Sequence, residues 1–173
     1  WTMYLKSSPF DNGEGGIEAG SVSFKMGELE PGTLEYKNAL FSVFRNGVEN
    51  LLERGLKVLL VYQSPEAGWN VPDAYAKMTL FLPEQGDNIE ISTSWDKYLE
   101  RNGDVMLLLD GLIAKNVSTY KSSDVLCNKV LPERCLNAID EKIFYYDDAH
   151  ISNTGALFLQ ASILESVAAA LGK

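Results

Sequence analysis

The sequence predicts a single α/β domain over residues 1–173, and two stretches carry that prediction. In the first, Pro31-Gly32-Thr33 sets up a helix start, and Tyr36, Leu40, Val43, Phe44, Val48, Leu51 and Leu52 recur at helical spacing until Gly55. An uninterrupted apolar run, Lys57-Val58-Leu59-Leu60-Val61-Tyr62, follows at once. Such a run suits a parallel strand covered on both faces, so helix, glycine and buried strand make the half-unit of an α/β sheet. In the second stretch, Ile143-Phe144-Tyr145-Tyr146 reads as a strand. It hands over, through Asp147-Asp148-Ala149-His150-Ile151-Ser152-Asn153-Thr154, to an amphipathic helix from Gly155 to Leu171.

The remaining elements follow in order. Trp1-Thr2-Met3-Tyr4-Leu5 has no initiator methionine and reads as a strand entered midway, which predicts a fragment or a processed product. Asp11-Asn12-Gly13-Glu14-Gly15-Gly16 reads as a loop or hairpin tip; acidic residues flank its glycines, against a phosphate cradle. Gly20-Ser21-Val22-Ser23-Phe24 alternates like a short exposed strand. The stretch from Gln63 to Pro72 lies beyond the carboxyl end of the buried strand, where ligands gather in open α/β sheets. Trp69 and Asn70 are therefore candidate substrate-binding residues, Trp69 as a surface that stacks on a sugar; the alternative is that Trp69 packs the loop onto the domain.

Ser92-Thr93-Ser94 can cap a further helix carrying Trp95, Tyr98 and Leu99, interrupted near Asn102-Gly103 and resuming from Val105 to Ile113. Val117 to Tyr120 reads as a strand. Cys127 and Cys135 bracket a short turn at Pro132, which suits either a disulfide closing a surface loop or two reduced cysteines. The last helix sets Leu157, Ala161, Leu164, Ala168 and Leu171 on one face, and Gly172 ends it.

A formal charge of −9 leaves no basic stripe for a phosphate backbone, which argues against nucleic acid. No apolar run is read as reaching the roughly 20 residues of a membrane helix, and no signal segment is recognisable, so an anchor or export signal is expected upstream.

His150 is the only histidine, and Asp147 stands three residues before it. A carboxylate so placed can hold one ring nitrogen while the other faces a substrate or a serine, which is half of a serine-histidine-acid triad. Helix capping explains the same residues: Ser152 or Asn153 can cap the final helix, and Asp147 and Asp148 sit well near its positive end. The two readings are compatible. A metal site at Asp147, Asp148 and His150 lacks a second ligand cluster, and a cysteine-histidine enzyme requires Cys127 or Cys135 to be free.

Asp147-Asp148-Ala149-His150-Ile151-Ser152 followed by Gly155-Ala156 resembles the last sequence block of the SGNH hydrolase superfamily. It is most similar to the extracytoplasmic SGNH domains fused to membrane acyltransferases that O-acetylate bacterial surface polysaccharides. The resemblance implies a three-layer α/β/α sandwich of flavodoxin-like type with a mainly parallel sheet, here lacking its first strand and helix. It implies acetyl transfer to a glycan through an acyl-serine, with His150 as general base and then general acid, Asp147 as its orienting acid and Asp148 as the unaligned neighbour. It also implies a Cys127–Cys135 disulfide and a periplasmic or otherwise extracytoplasmic domain tethered to the inner membrane. The implied partners are a glycan acceptor, an acyl donor and a membrane acyltransferase domain in the same polypeptide, with no cofactor.

The chain departs from the family pattern in one respect. Neither Gly-Asp-Ser, Gly-x-Ser-x-Gly nor Gly-x-Asn-Asp occurs, so the serine and the oxyanion donors are expected upstream of Trp1. Ser21 and Ser64 are weaker alternatives. A carbohydrate O-acetyl esterase of the same fold, or a non-catalytic glycan-binding module using Trp69 and Trp95, would fit the same residues.

Overall fold

The computed structural model describes residues 2–6, 8–18, 20, 24–82 and 89–172. In chain order the elements are α1 (Thr2–Lys6), α2 (Leu34–Glu53), β1 (Val58–Val61), α3 (Val71–Phe81), β2 (Glu90–Ser94) and α4 (Trp95–Asp110). They continue with β3 (Val117–Tyr120), α5 (Ser123–Leu126), β4 (Arg134–Ile139), β5 (Lys142–Ile143) and α6 (Asn153–Leu171). The domain is α/β, as predicted.

Thr33 starts α2: its hydroxyl accepts the Tyr36 amide at 3.2 Å. Gly55, at φ 77°, turns the chain out of the helix and into β1. β1 and β3 pair in parallel, Val58 opposite Val117 and Val61 opposite Tyr120. Leu60 and Tyr62 of this segment enter a core shared with Leu5 of α1, Tyr36, Leu40 and Val48 of α2, and Val105, Leu108 and Leu109 of α4. α6 lies across the opposite face, where the Tyr120 and Ser162 hydroxyls meet at 3.2 Å.

The second sheet is antiparallel, in the order β2-β4-β5. A mainly parallel sheet was expected; among the described residues parallel pairing is confined to β1 and β3. For β4 and β5 the reason is local. Asp140, at φ 54°, and Glu141 return the chain after two residues, and so short a link can only join antiparallel strands. A second apolar core lies between this sheet, α3 and the start of α6, centred on Ile91, Cys135, Leu136, Phe144 and Tyr145.

Several local expectations change. The opening segment is the helix α1, not a strand: Thr2 and Leu5, one helical turn apart, are both buried against α2 and α4, whereas a strand would point them to opposite faces. The interruption near Asn102-Gly103 is absent and α4 runs unbroken, because buried Asn102 bonds the Tyr98 carbonyl and the Glu66 carboxylate. Those contacts outweigh the roughly 1 kcal/mol that Gly103 costs a helix. Ser94 alone caps α4, accepting the Lys97 amide, while Ser92 and Thr93 lie in β2. Of the strand expected at Ile143 to Tyr146 only Ile143 is paired as strand; Phe144 and Tyr145 continue, fully buried, into a turn. Ser21, Val22 and Ser23, most of the expected strand from Gly20 to Phe24, fall outside the described residues. Asp11 and Ile17 bridge across the glycine-rich stretch, which is a hairpin tip.

α6 reverses an expectation on each side. It is long and apolar enough, by length and composition, to cross a membrane, where no such run was read. Its Leu157, Ala161, Leu164, Ala168 and Leu171 stripe is turned largely to solvent: Leu157 is 71% exposed, Leu164 57% and Leu171 50%. The face that packs on the domain instead carries Gly155, Leu159 and Ser162.

Cys127 and Cys135 are joined by a disulfide across an antiparallel bridge, with the Asn128 amide donating to the Arg134 carbonyl beside it. Closing so short a loop stabilises the folded state by about 2 to 3 kcal/mol. Full reduction should lower the unfolding free energy measured in urea by that amount, with Cys127→Ser/Cys135→Ser matching the reduced protein. A midpoint insensitive to reductant would show that the second core holds the loop unaided.

Candidate active site

The turn that follows buried Tyr145 builds the site. Tyr145 and Ile151 bridge in antiparallel fashion, and inside the bridge the Tyr146 amide donates to the His150 carbonyl at 3.0 Å. Asp147 closes the turn from within. Its Oδ1 accepts the Ala149 amide at 2.9 Å and the His150 amide at 2.8 Å, and its Oδ2 lies 2.8 Å from His150 Nδ1.

An ionised carboxylate only accepts, so Nδ1 carries the hydrogen and Nε2 is left to take a proton. Partial burial pushes the Asp147 carboxyl upward, but the Ala149 and His150 amides and then the imidazole outweigh it. The group is held below its ordinary value of 3.8. The imidazole is 68% exposed, and the exposed ring of Tyr146 stacks on it at 5.4 Å between centroids and 18° between planes.

The loop after β1 clamps this turn. The Ala67 and Gly68 amides donate to the Asp148 carbonyl at 2.8 and 3.2 Å, and the Val71 amide to the Asp147 carbonyl at 3.2 Å. Tyr145 Oη donates to the Pro65 carbonyl at 2.5 Å. The loop is itself anchored by charge: Glu66 accepts the Asn102 amide at 3.0 Å and lies 3.6 Å from Arg101 Nε, while Arg101 reaches Glu18 at 3.3 Å. Burial pushes the Glu66 carboxyl up, against the pull of Asn102 and Arg101. Asn12 adds a bond from Nδ2 to the Ala67 carbonyl.

Ser152 ends the turn and caps α6, accepting the Gly155 amide at 3.0 Å and donating to the Ile143 carbonyl at 2.7 Å. Capping and carboxylate–imidazole pairing thus coexist, Ser152 serving the helix and Asp147 the histidine. Gly155 is required by space, since a Cβ there would stand 2.3 Å from the Phe144 carbonyl oxygen.

The other candidate residues are placed differently. Trp69 is half-buried against the second core with its indole N–H enclosed, packing the loop onto the domain. Asn70 caps α3, its Oδ1 accepting the Asp73 amide at 3.0 Å. Trp95 stacks on Tyr98 at 5.3 Å, also against that core. Ser64 accepts a hydrogen bond from Ser122 at 2.9 Å; Ser21 lies outside the described residues. Among the described residues no three of His, Cys, Asp and Glu gather to hold a metal ion. Sequence reasoning missed Tyr146, Glu66 and Arg101. The aromatic four residues before His150 was the available signal for Tyr146; nothing local pointed to the buried pair.

A family model described as "SGNH domain (fused to AT3 domains)" matches residues 1–165. No curated protein and no solved structure matches the chain.

Two outcomes follow from this geometry. Gly155→Ala should cost about 2 kcal/mol or more, because the Phe144 main chain has to move, and urea unfolding measures it; an unchanged midpoint would mean the turn yields freely. The stability contributed by ionised Asp147 is present above its unfolded pKa of 3.8 and lost as the pH falls through its lower folded value. Urea midpoints of the natural sequence and Asp147→Asn should therefore differ at about pH 6 and converge toward about pH 2. A gap of the same size at both would contradict the carboxylate's role in the turn.

Proposed function

The chain belongs to the family of SGNH domains fused to AT3 domains, which gives it an acyltransferase-associated role, and from that premise we propose that it completes a serine acyl-transfer site. The observation that carries the proposal is the His150 Nδ1 to Asp147 Oδ2 contact of 2.8 Å, in a carboxylate whose other oxygen is bound by two amides. Such a pair is an oriented base that awaits a nucleophile and oxyanion donors. The parallel pair β1-β3 with α2 and α6 on opposite faces supports a three-layer sandwich whose first strand and helix, with the serine and the oxyanion donors, precede Trp1.

In the proposed reaction the serine hydroxyl gives its proton to His150 Nε2 while its Oγ bonds to the acyl carbon of the donor. The donor's leaving group departs with that proton, and the acyl-serine remains. A hydroxyl of a bacterial surface polysaccharide then gives its proton to His150 and attacks; the new ester leaves, and the serine regains the proton. Asp147 keeps the imidazole in one tautomer and stabilises the imidazolium. The acyl group is acetyl or of similar size, and Trp69 and Asn70 stiffen the wall of the acceptor site through packing and capping. The disulfide fits a periplasmic domain tethered to the inner membrane by a membrane acyltransferase domain of the same polypeptide. Hydrolysis of the same ester is a second reading, favoured by the solvent exposure of His150.

In the polypeptide that includes the upstream sequence, His150→Ala should lower acetyl transfer to polysaccharide by about a thousandfold or more, with Asp148→Asn near the natural rate. Equal losses would remove Asp147 as sole orienting acid. Fluorophosphonate labelling with peptide mapping tests the nucleophile: a tagged serine before Trp1 is expected, and a tag on Ser21 or Ser64 would overturn its placement.

A further inference from the structure

Trp69 and Trp95 pack on the second core, and the aromatic ring that lies against the histidine is that of Tyr146. Its place is fixed by the turn. The Tyr145–Ile151 bridge and the bond from the Tyr146 amide to the His150 carbonyl set Tyr146 and His150 across from each other, where the side chains of an antiparallel pair share a face. The two rings meet at 5.4 Å between centroids and 18° between planes, an offset stack.

Core packing does not account for this ring. Tyr146 is 59% exposed, whereas neighbouring Tyr145 is wholly buried and ties the turn to the Pro65 carbonyl. What Tyr146 covers is one face of His150, and that face needs a restraint. The bond between Nδ1 and Asp147 Oδ2 fixes one corner of the imidazole, but the last torsion of a histidine has broad minima and 68% of this side chain is exposed, so the ring could swing about that corner. A flat ring against its face blocks the swing and keeps Nε2 aimed in one direction.

A second effect arises when Nε2 takes a proton. The face of a tyrosine ring carries negative potential, and a cation within about 6 Å of the centroid is attracted to it. The imidazolium gains from this where the neutral imidazole does not, so the contact strengthens as positive charge develops on His150. From this stack we infer that Tyr146 is a positioning residue for the proton transfer at His150, holding the imidazole against Asp147 and favouring its protonated form through the face of the ring. A leucine in its place would keep much of the bulk and lose the charge interaction; a phenylalanine would keep both. The effect on the reaction rests on the acyl-serine reading, whereas the effect on the imidazolium does not.

His150 is the only histidine, so its ring-proton resonances in residues 1–173 belong to one group and report its protonation directly. The charged groups of the turn and of the loop that clamps it, Asp147, Asp148 and buried Glu66, are common to every protein compared. In Tyr146→Leu the pH at which the imidazole takes up its proton should fall by about half a unit, with exchange of the Ala149 and His150 amides as slow as in the natural sequence, and Tyr146→Phe should restore it. An unchanged titration in Tyr146→Leu would overturn the inference. So would an equal fall in both variants, or a fall accompanied by faster exchange of those amides, which would make Tyr146 a support of the turn alone. In the polypeptide that includes the upstream sequence, Tyr146→Leu should lower kcat for acetyl transfer by about two- to fivefold with KM unchanged, and Tyr146→Phe should recover it. Fluorophosphonate labelling separates the two proposals. The titration shift without any tagged serine upholds the contact with the imidazolium and removes the acyl-serine reading; a tagged upstream serine with kcat unchanged in Tyr146→Leu removes the role of Tyr146 alone.

Discussion

The site depends on one side chain, the carboxylate of Asp147. Three donors converge on its two oxygens, two from the backbone of the turn and one from the imidazole. Hydrogen bonds to an ionised acceptor are worth about 1.5 to 3 kcal/mol each, so the group that orients His150 also shapes the turn that carries it. A shorter side chain would lose both at once. The Tyr146 ring completes the arrangement by lying flat on the imidazole, so the ring is held at one edge and across one face.

That turn would drift without the loop after β1. The two segments are joined main chain to main chain, through Ala67, Gly68 and Val71, so the register between Glu66 and Asp148 does not hang on a flexible side chain. The loop is fastened in turn by buried charge. Glu66, Arg101 and Glu18 place two carboxylates around one guanidinium in the interior, with Asn102 supplying a further bond. Breaking such a cluster strands a charge out of water, which typically costs several kcal/mol, so the arrangement resists loosening even though its net contribution to stability is modest.

The sheets then set what the domain can present. The antiparallel β2-β4-β5 sheet and the disulfide make a closed core behind the turn, with Phe144 stacked on Phe158 of α6 at 4.6 Å. The parallel pair is open: one face is filled by α2 and α4, the other only partly by α6. The side of the molecule nearest the carboxyl end of β1 therefore combines a formed acid–histidine pair with uncovered apolar surface.

What was legible in the sequence is what short-range chemistry controls. The start of α2 at Thr33, the run that becomes β1, the cap at Ser152, one of the two residues the sequence offered for it, and the Asp147–His150 spacing all involve groups within a few residues of each other. The rest was decided by contacts between distant residues. α1 is helical because Thr2 and Leu5 share a face against α2 and α4. Gly103 stays in a helix because Asn102 reaches Glu66. Trp69 became packing, and Tyr146 became the exposed aromatic, because the clamp from Ala67 to Val71 turns one inward and leaves the other out. The stripe on α6 shows the limit most plainly. Periodicity identified Leu157, Leu164 and Leu171 as one apolar face, but only the tertiary structure could show that Gly155 and Leu159 take the inner side, because Gly155 alone lets the helix approach the Phe144 carbonyl.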